Sequence, residues 1–187
     1  MNKFYTSDLH FSHTNVLTYC NRPFKTMERM NEVLIKNINQ RVKKGDILYH
    51  LGDFAFYGKE RGVFGQKTKG EAFLEQIQGT TILLAGNHDK NNKVKPYALG
   101  MVVILPTFGK TTCSHYPSTD PLCPFVFDNK ILNYHLCGHV HQAWKHCYDK
   151  DKNVLNINVG IDVWDYQVVS EQEIVKYIKE VKNNLNL

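Results

Sequence analysis

Five short runs rich in β-branched and aromatic residues each give way to a side chain able to ligate a metal or carry a proton. Asp8 and His10 follow KFYT, Asp53 follows DILYHLG, Asn87 and His88 follow TTILLAG, His115 closes KTTCS, and His139 with His141 follow ILNYHLC. Runs of this kind read as strands. At the C-terminal edge of an open α/β sheet the loops converge and ligands bind, so residues far apart in sequence can meet there. One histidine beside a strand is ordinarily a hydrogen-bonded structural residue. Five coincident placements instead point to a fold that gathers these strand ends at one edge.

The intervening segments agree. In TMERMNEVLIKNINQRV, Met27, Met30, Leu34, Ile38 and Val42 recur at three- and four-residue steps and Gly45 follows, which predicts a helix. EAFLEQIQG predicts a second helix, stopped at Gly79. In SEQEIVKYIKEVKNNL, Ser170 and Glu173 have capping-box spacing, and Ile174, Tyr177, Ile178, Val181 and Leu185 share one face. MVVILP and NVLNINVGI add strands. Alternating strands and helices, then a strand-rich second half, predict a layered α/β domain with a mixed sheet or two packed sheets. The stretch 57–70, rich in Gly and Lys, reads as a surface loop beside the site.

Bulk properties fit one domain over residues 1–187: 42% hydrophobic and 22% charged residues are ordinary for a globular chain. The formal net charge of +5 suits anionic substrates such as phosphate esters. The lysines are scattered, which falls short of a nucleic-acid footprint. The five cysteines form no CxxC pair, MNKFYTSDLH lacks a signal peptide's apolar core, and no apolar run approaches the ~20 residues of a membrane span. These features predict a cytoplasmic protein in a reducing compartment, with no membrane partner.

In CGHVHQ, residues 137–142, His139 and His141 stand two apart, so an extended backbone would aim both rings at one point. Metal ligation, acid catalysis and strand closure are all compatible with that spacing. The collected residue types narrow the chemistry. Carboxylate, amide and imidazole donors suit Mn, Fe, Zn or Co, whereas Ca or Mg prefer oxygen throughout. Asp8, His10, Asp53, Asn87, His115, His139 and His141 are seven candidates, more than one ion needs, and two ions sharing a carboxylate account for the surplus.

Asp8-Leu9-His10, Gly52-Asp53, Gly86-Asn87-His88-Asp89, His115 and Gly138-His139-Val140-His141 together resemble the ordered motif set of the calcineurin-like metallophosphoesterases. The resemblance spans residues 8 to 141 and implies a four-layer α/β/β/α sandwich of two mixed sheets, the metallo-dependent phosphatase fold. It implies two divalent transition-metal ions, manganese first, with Fe, Zn, Co or Ni as alternatives. Asp8, His10 and His141 would hold one ion; Asn87, His115 and His139 the other; Asp53 would bridge them. His88 resembles the family's catalytic histidine, off the metals, with Asp89 as its orienting carboxylate. The implied activity is hydrolysis of a small phosphodiester or phosphomonoester, a nucleotide or cyclic nucleotide first, by attack of metal-bound hydroxide. A nuclease of the same fold and a noncatalytic protein-interaction scaffold are the alternatives. Arg22, His13 and Asn15 are candidate substrate contacts, Arg22 through its planar donors. Phenylalanines in GDFAF stand where many relatives carry polar residues. Phe54, Phe56, Tyr57 and Trp144 therefore read either as base-stacking surfaces or as core.

Overall fold

A computed structural model describes residues 1–56, 70–89 and 94–187. Apart from Gly70, the expected 57–70 loop lies outside the described residues, Tyr57 with it. Nine strands are described: β1 (Lys3–Thr6), β2 (Ile47–His50), β3 (Thr80–Leu83), β4 (Gly100–Leu105), β5 (Gly109–Ser114), β6 (Asn133–Cys137), β7 (His146–Asp149), β8 (Val154–Asn158) and β9 (Val169–Ser170). They form two mixed sheets, ordered β3-β2-β1-β9 and β4-β5-β6-β8-β7. In the first, β1, β2 and β3 run parallel and β9 pairs antiparallel with β1. In the second, β5, β6 and β8 run parallel, flanked by antiparallel β4 and β7. The helices are α1 (Val16–Tyr19), α2 (Met27–Arg41), α3 (Gly70–Leu74) and α4 (Glu171–Leu185).

Strand side chains alternate between faces, so β1, β2 and β3 of the first sheet serve two cores. Phe4, Leu48 and Leu83 pack with Met30, Leu34 and Ile38, the buried stripe of α2. Tyr5 and Tyr49 turn the other way, their rings stacked at 5.0 Å, and join Leu136, Leu155 and Ile157 of the second sheet. The layers therefore run helix, sheet, sheet. Helix α4 brings Ile174, Ile178 and Val181 to that second core. Its start carries the anticipated capping box: the Glu173 amide donates to Ser170 Oγ at 3.3 Å and the Ser170 amide to Glu173 Oε2 at 2.8 Å.

Beyond the strands the chain keeps its parallel path, which sets the site. The Asp8 amide donates to the Gly52 carbonyl and the His10 amide to the Asp53 carbonyl, each at 3.0 Å. A Ser7–Gly160 bridge ties the end of β1 to the exit of β8, and the Gly138 amide donates to the His115 carbonyl. All five polar strand ends thus share one rim.

Two readings change and a third is decided between its alternatives. Strands β7 and β9 were not anticipated, because HCYD has no apolar alternation and a two-residue strand has no periodicity. The EAFLEQIQG helix is confined to Gly70–Leu74; the amides of Gln76 and Ile77 then bond three residues back, a tighter winding that ends it. Phe54 is fully buried in the first core, edge-on to Phe11, and presents no stacking surface. Among the described residues no helix is long and apolar enough to cross a membrane.

Candidate metal centre

All seven expected ligands converge. Asn87 Oδ1, His115 Nε2 and His139 Nδ1 form a triangle with sides of 3.0, 3.2 and 3.2 Å. Donors held at about 2.1 Å by one cation, at tetrahedral or octahedral angles, lie roughly 3.0–3.4 Å apart, so the triangle has the size of a coordination face. Asp8, His10 and His141 form a second group whose donor atoms all lie within 4.8 Å of one another. Asp53 stands between the groups: Oδ2 is 3.5 Å from His10 Nε2 and 3.5 Å from His115 Nε2. Its other oxygen accepts the His88 amide at 2.9 Å. These residues could hold a metal ion.

The ring nitrogens are set from behind. His115 Nδ1 lies 3.0 Å from the Leu51 carbonyl and His141 Nδ1 2.8 Å from Asp162 Oδ2, so each ring donates there and turns its Nε2 edge to the centre. His10 Nε2 is buried and has no hydrogen-bond partner, while its Nδ1 is 3.2 Å from His13 Nδ1. An imidazole nitrogen aimed at a carboxylate without a hydrogen bond is what a ligand looks like without its cation, and the donor set fits one.

Backbone geometry marks the same residues. Asp8, His10, Asp53, His139 and His141 all have positive φ, between 47° and 70°. Such left-handed backbone is uncommon for residues with a Cβ and costs energy that surrounding structure must offset. It lets the chain turn within one residue and send neighbouring side chains of one loop into the centre, His139 to one donor group and His141 to the other. Close approach also needs Gly86 and Gly138: a Cβ on Gly86 would lie 2.2 Å from Asp53 Oδ1, and one on Gly138 2.5 Å from Asp8 Oδ2.

Electrostatics favour a bound cation. Asp8 and Asp53 are almost wholly buried. Burial and the neighbouring Asp8 carboxylate push the Asp53 carboxyl up to about 7. His10 is held well below its ordinary value by burial and by Arg22, hence neutral and able to ligate. At His141 burial works downward, but the bond to Asp162 and the Asp8 carboxylate outweigh it and raise the ring to about 10.

The expected catalytic pair is only partly as anticipated. His88 sits outside both donor groups, 38% exposed at its side chain, with Nε2 4.0 Å from Asp53 Oδ2. Asp89 braces backbone: it accepts the amides of Asp53 at 2.8 Å, Phe54 at 3.0 Å and Gly86 at 2.7 Å. It thereby clamps the loop after β2 to the loop after β3, in place of the ring contact expected from the sequence. The clamp positions Asp53 and, through it, the His88 amide.

Arg22 is a correction. Its side chain is fully buried, and its Nε and Nη2 donate to the two Asp162 oxygens at 2.8 and 3.0 Å. The remaining donors reach the Asp8 carbonyl at 2.6 Å, the Leu9 carbonyl at 2.9 Å and Met30 Sδ at 3.4 Å. No donor is left for a substrate phosphate. Arg22 is a strut instead, fixing the first ligand loop and, through Asp162, the His141 ring. Asp162, in GIDVWDY, carries no local signal of that role, since Arg22 is 140 residues away. His13 and Asn15 both line a cavity of about 570 Å³ beside the centre. His13 is buried and stacked on Phe56 at 4.4 Å, and Asn15 is exposed. Outside both donor groups, His146 bonds the Tyr177 hydroxyl, His135 is buried among Thr112, Ser114 and the Tyr116 carbonyl, and His50 packs edge-on against Phe54.

Removing Arg22 strands a buried carboxylate. Arg22→Ala is expected to cost about 3–5 kcal/mol in urea unfolding of metal-stripped protein, and Arg22→Lys to recover little of it, since an ammonium cannot bond both Asp162 oxygens and two carbonyls. A loss below about 1 kcal/mol would show that the strut carries no weight.

No family model matches the chain. Its sequence is 35% identical, over 97% of this chain and 94% of the relative, to the uncharacterized protein MJ1445 of Methanocaldococcus jannaschii. Its fold is similar to the crystal structure of the protein of unknown function AQ665 from Aquifex aeolicus, with a TM-score of 0.72 at 27% sequence identity over 94% of this chain and 98% of that one. At that identity and coverage, the chain belongs to the same protein family as MJ1445.

Proposed function

We propose that this protein is a phosphoric ester hydrolase of the calcineurin-like metallophosphoesterase type, using two divalent transition-metal ions on a small phosphodiester or phosphomonoester. On this reading the two-sheet domain is the core of the metallo-dependent phosphatase sandwich. One observation carries the proposal: Asp53 Oδ2 lies midway between two complete donor groups, at 3.5 Å from a histidine of each, with His88 beside it and outside both.

Asp8, His10 and His141 would hold one cation, Asn87, His115 and His139 the other, with Asp53 shared. Manganese is the first candidate for the mixed oxygen and nitrogen donors. Once bound, such a pair supplies positive charge for the phosphoryl oxygens and a nucleophile for in-line displacement. The protein's own contribution is placement. Asp53 offsets cationic charge and fixes spacing. The bond from His141 Nδ1 to Asp162 holds that ring in one tautomer. His88, half-exposed and facing the cavity, is placed to bind the phosphate or give a proton to the departing oxygen, a role typically worth about 10²–10⁴-fold in rate. The Asp89 clamp keeps the His88 loop in register with Asp53.

His88→Ala should retain two metals per chain and lose about 10²–10⁴-fold in turnover of a chromogenic diester, whereas Asp53→Ala should lose both metal and turnover. Elemental analysis with initial rates separates the two; near-wild-type rates for His88→Ala on several diesters would remove it from the mechanism.

Metal uptake should also release protons. With Asp53 raised to about 7 and His141 to about 10, both are protonated in acid, and a cation must displace both protons. Calorimetric titration in buffers of different ionisation enthalpy is expected to show about two protons released at pH 6 and about one at pH 8.5, with affinity falling as pH falls through 7. A release that does not change with pH would contradict the assignment of Asp53.

A further inference from the structure

The cavity beside the centre is not symmetric about it. His10, His88 and His141 form its floor, while Asn87, His115 and His139 do not line it, so it opens over the Asp8 side. Apolar side chains line it beyond the histidines: Val16 of α1, Val140 and Ala143. Flat surfaces face it as well. Phe56 is stacked with His13 at an interplanar angle of 17°, and the Tyr19 ring, 72% exposed, stands at its edge. Two uncharged amides, Asn15 and Gln142, are exposed on opposite loops.

Each feature restricts the occupant. A volume of about 570 Å³ is in the range of small-molecule sites and holds more than a phosphoryl group. Apolar walls and an exposed tyrosine favour a flat, uncharged ring over a bare sugar. Asn and Gln each offer both a donor and an acceptor, which matches the mixed edge of a heterocycle and gives a plain hydrocarbon nothing to use. We infer that this cavity is the subsite for the organic group of the ester, and that the group it takes is a nucleobase, stacked on Tyr19 and read at its edge by Asn15 and Gln142. The inference rests on the phosphoesterase reading, since that reading puts the phosphoryl group over His10 and His141.

Binding tests it apart from turnover. Phosphonate analogues carry carbon in place of the ester oxygen and cannot be hydrolysed there. A nucleoside 5′-phosphonate, the matching ribose phosphonate and phenylphosphonate are titrated calorimetrically into the manganese-loaded full chain. The nucleoside analogue should bind about 10-fold more tightly than either of the others, as base stacking on an aromatic side chain typically allows. Tyr19→Ala should cut that ratio to about 2 or less, and Gln142→Ala should change which base is preferred. Equal affinity for all three analogues overturns the inference, as does a preference that both variants leave intact, or phenylphosphonate binding as well as the nucleoside. If no ester is hydrolysed by metal-loaded protein while the base-dependent ratio stands, the phosphoesterase reading fails and the subsite survives. Hydrolysis without base preference is the converse result.

Discussion

Two buried carboxylates dominate this structure. Asp8 and Asp53 are 0% and 2% exposed and face the same space, and like charges at that burial repel. The fold responds by surrounding them with donors. Asp8 accepts the Ser7 hydroxyl at 2.5 Å and the His139 amide at 3.1–3.2 Å, and Asp53 accepts the His88 amide. Those bonds still leave Asp53 shifted upward, so the remaining charge calls for a cation. His10, kept neutral by its burial and by Arg22, is aimed into the same space and is the complementary half of that demand.

Holding this arrangement costs backbone strain, and the sheets bear it. Five ligand residues sit in left-handed conformation because each loop must reverse within a residue or two of leaving its strand. The loops cannot relax: their amides continue the strand ladders from Asp8 to Gly52 and from His10 to Asp53, and Asp89 locks the loops after β2 and β3 together. On the opposite side, Arg22 and Asp162 link the Asp8 carbonyl to His141. A rim braced in this way holds the donor side chains on rigid elements, as a preorganised site needs.

What could be read from sequence was local. Strand runs such as ILLAG and LNYHLC announce themselves by residue type, and a polar residue just beyond each run is visible without any tertiary knowledge. Hence the seven side chains that cluster, and the α4 cap, were legible as positions. Residues whose role depends on distant partners were not. Arg22 in CNRPF looks like an exposed loop cation; only the meeting of loops 140 residues apart buries it. Asp162 in GIDVWDY has the composition of a turn, and its two bonds identify it as a support for His141. Phe54 and Phe56, two residues apart, divide between core and cavity according to which side of the β2 exit each faces. Asp89, adjacent to His88 in sequence, accepts three amides of two loops that only the folded chain brings together.

The central claim is that one carboxylate, Asp53, is shared by two cations. Crystals of manganese-loaded protein, with anomalous differences collected at the manganese edge, examine it directly. Two adjacent peaks flanking Asp53, one among Asp8, His10 and His141 and the other among Asn87, His115 and His139, are the expected result. A single peak, or peaks away from Asp53, would contradict it.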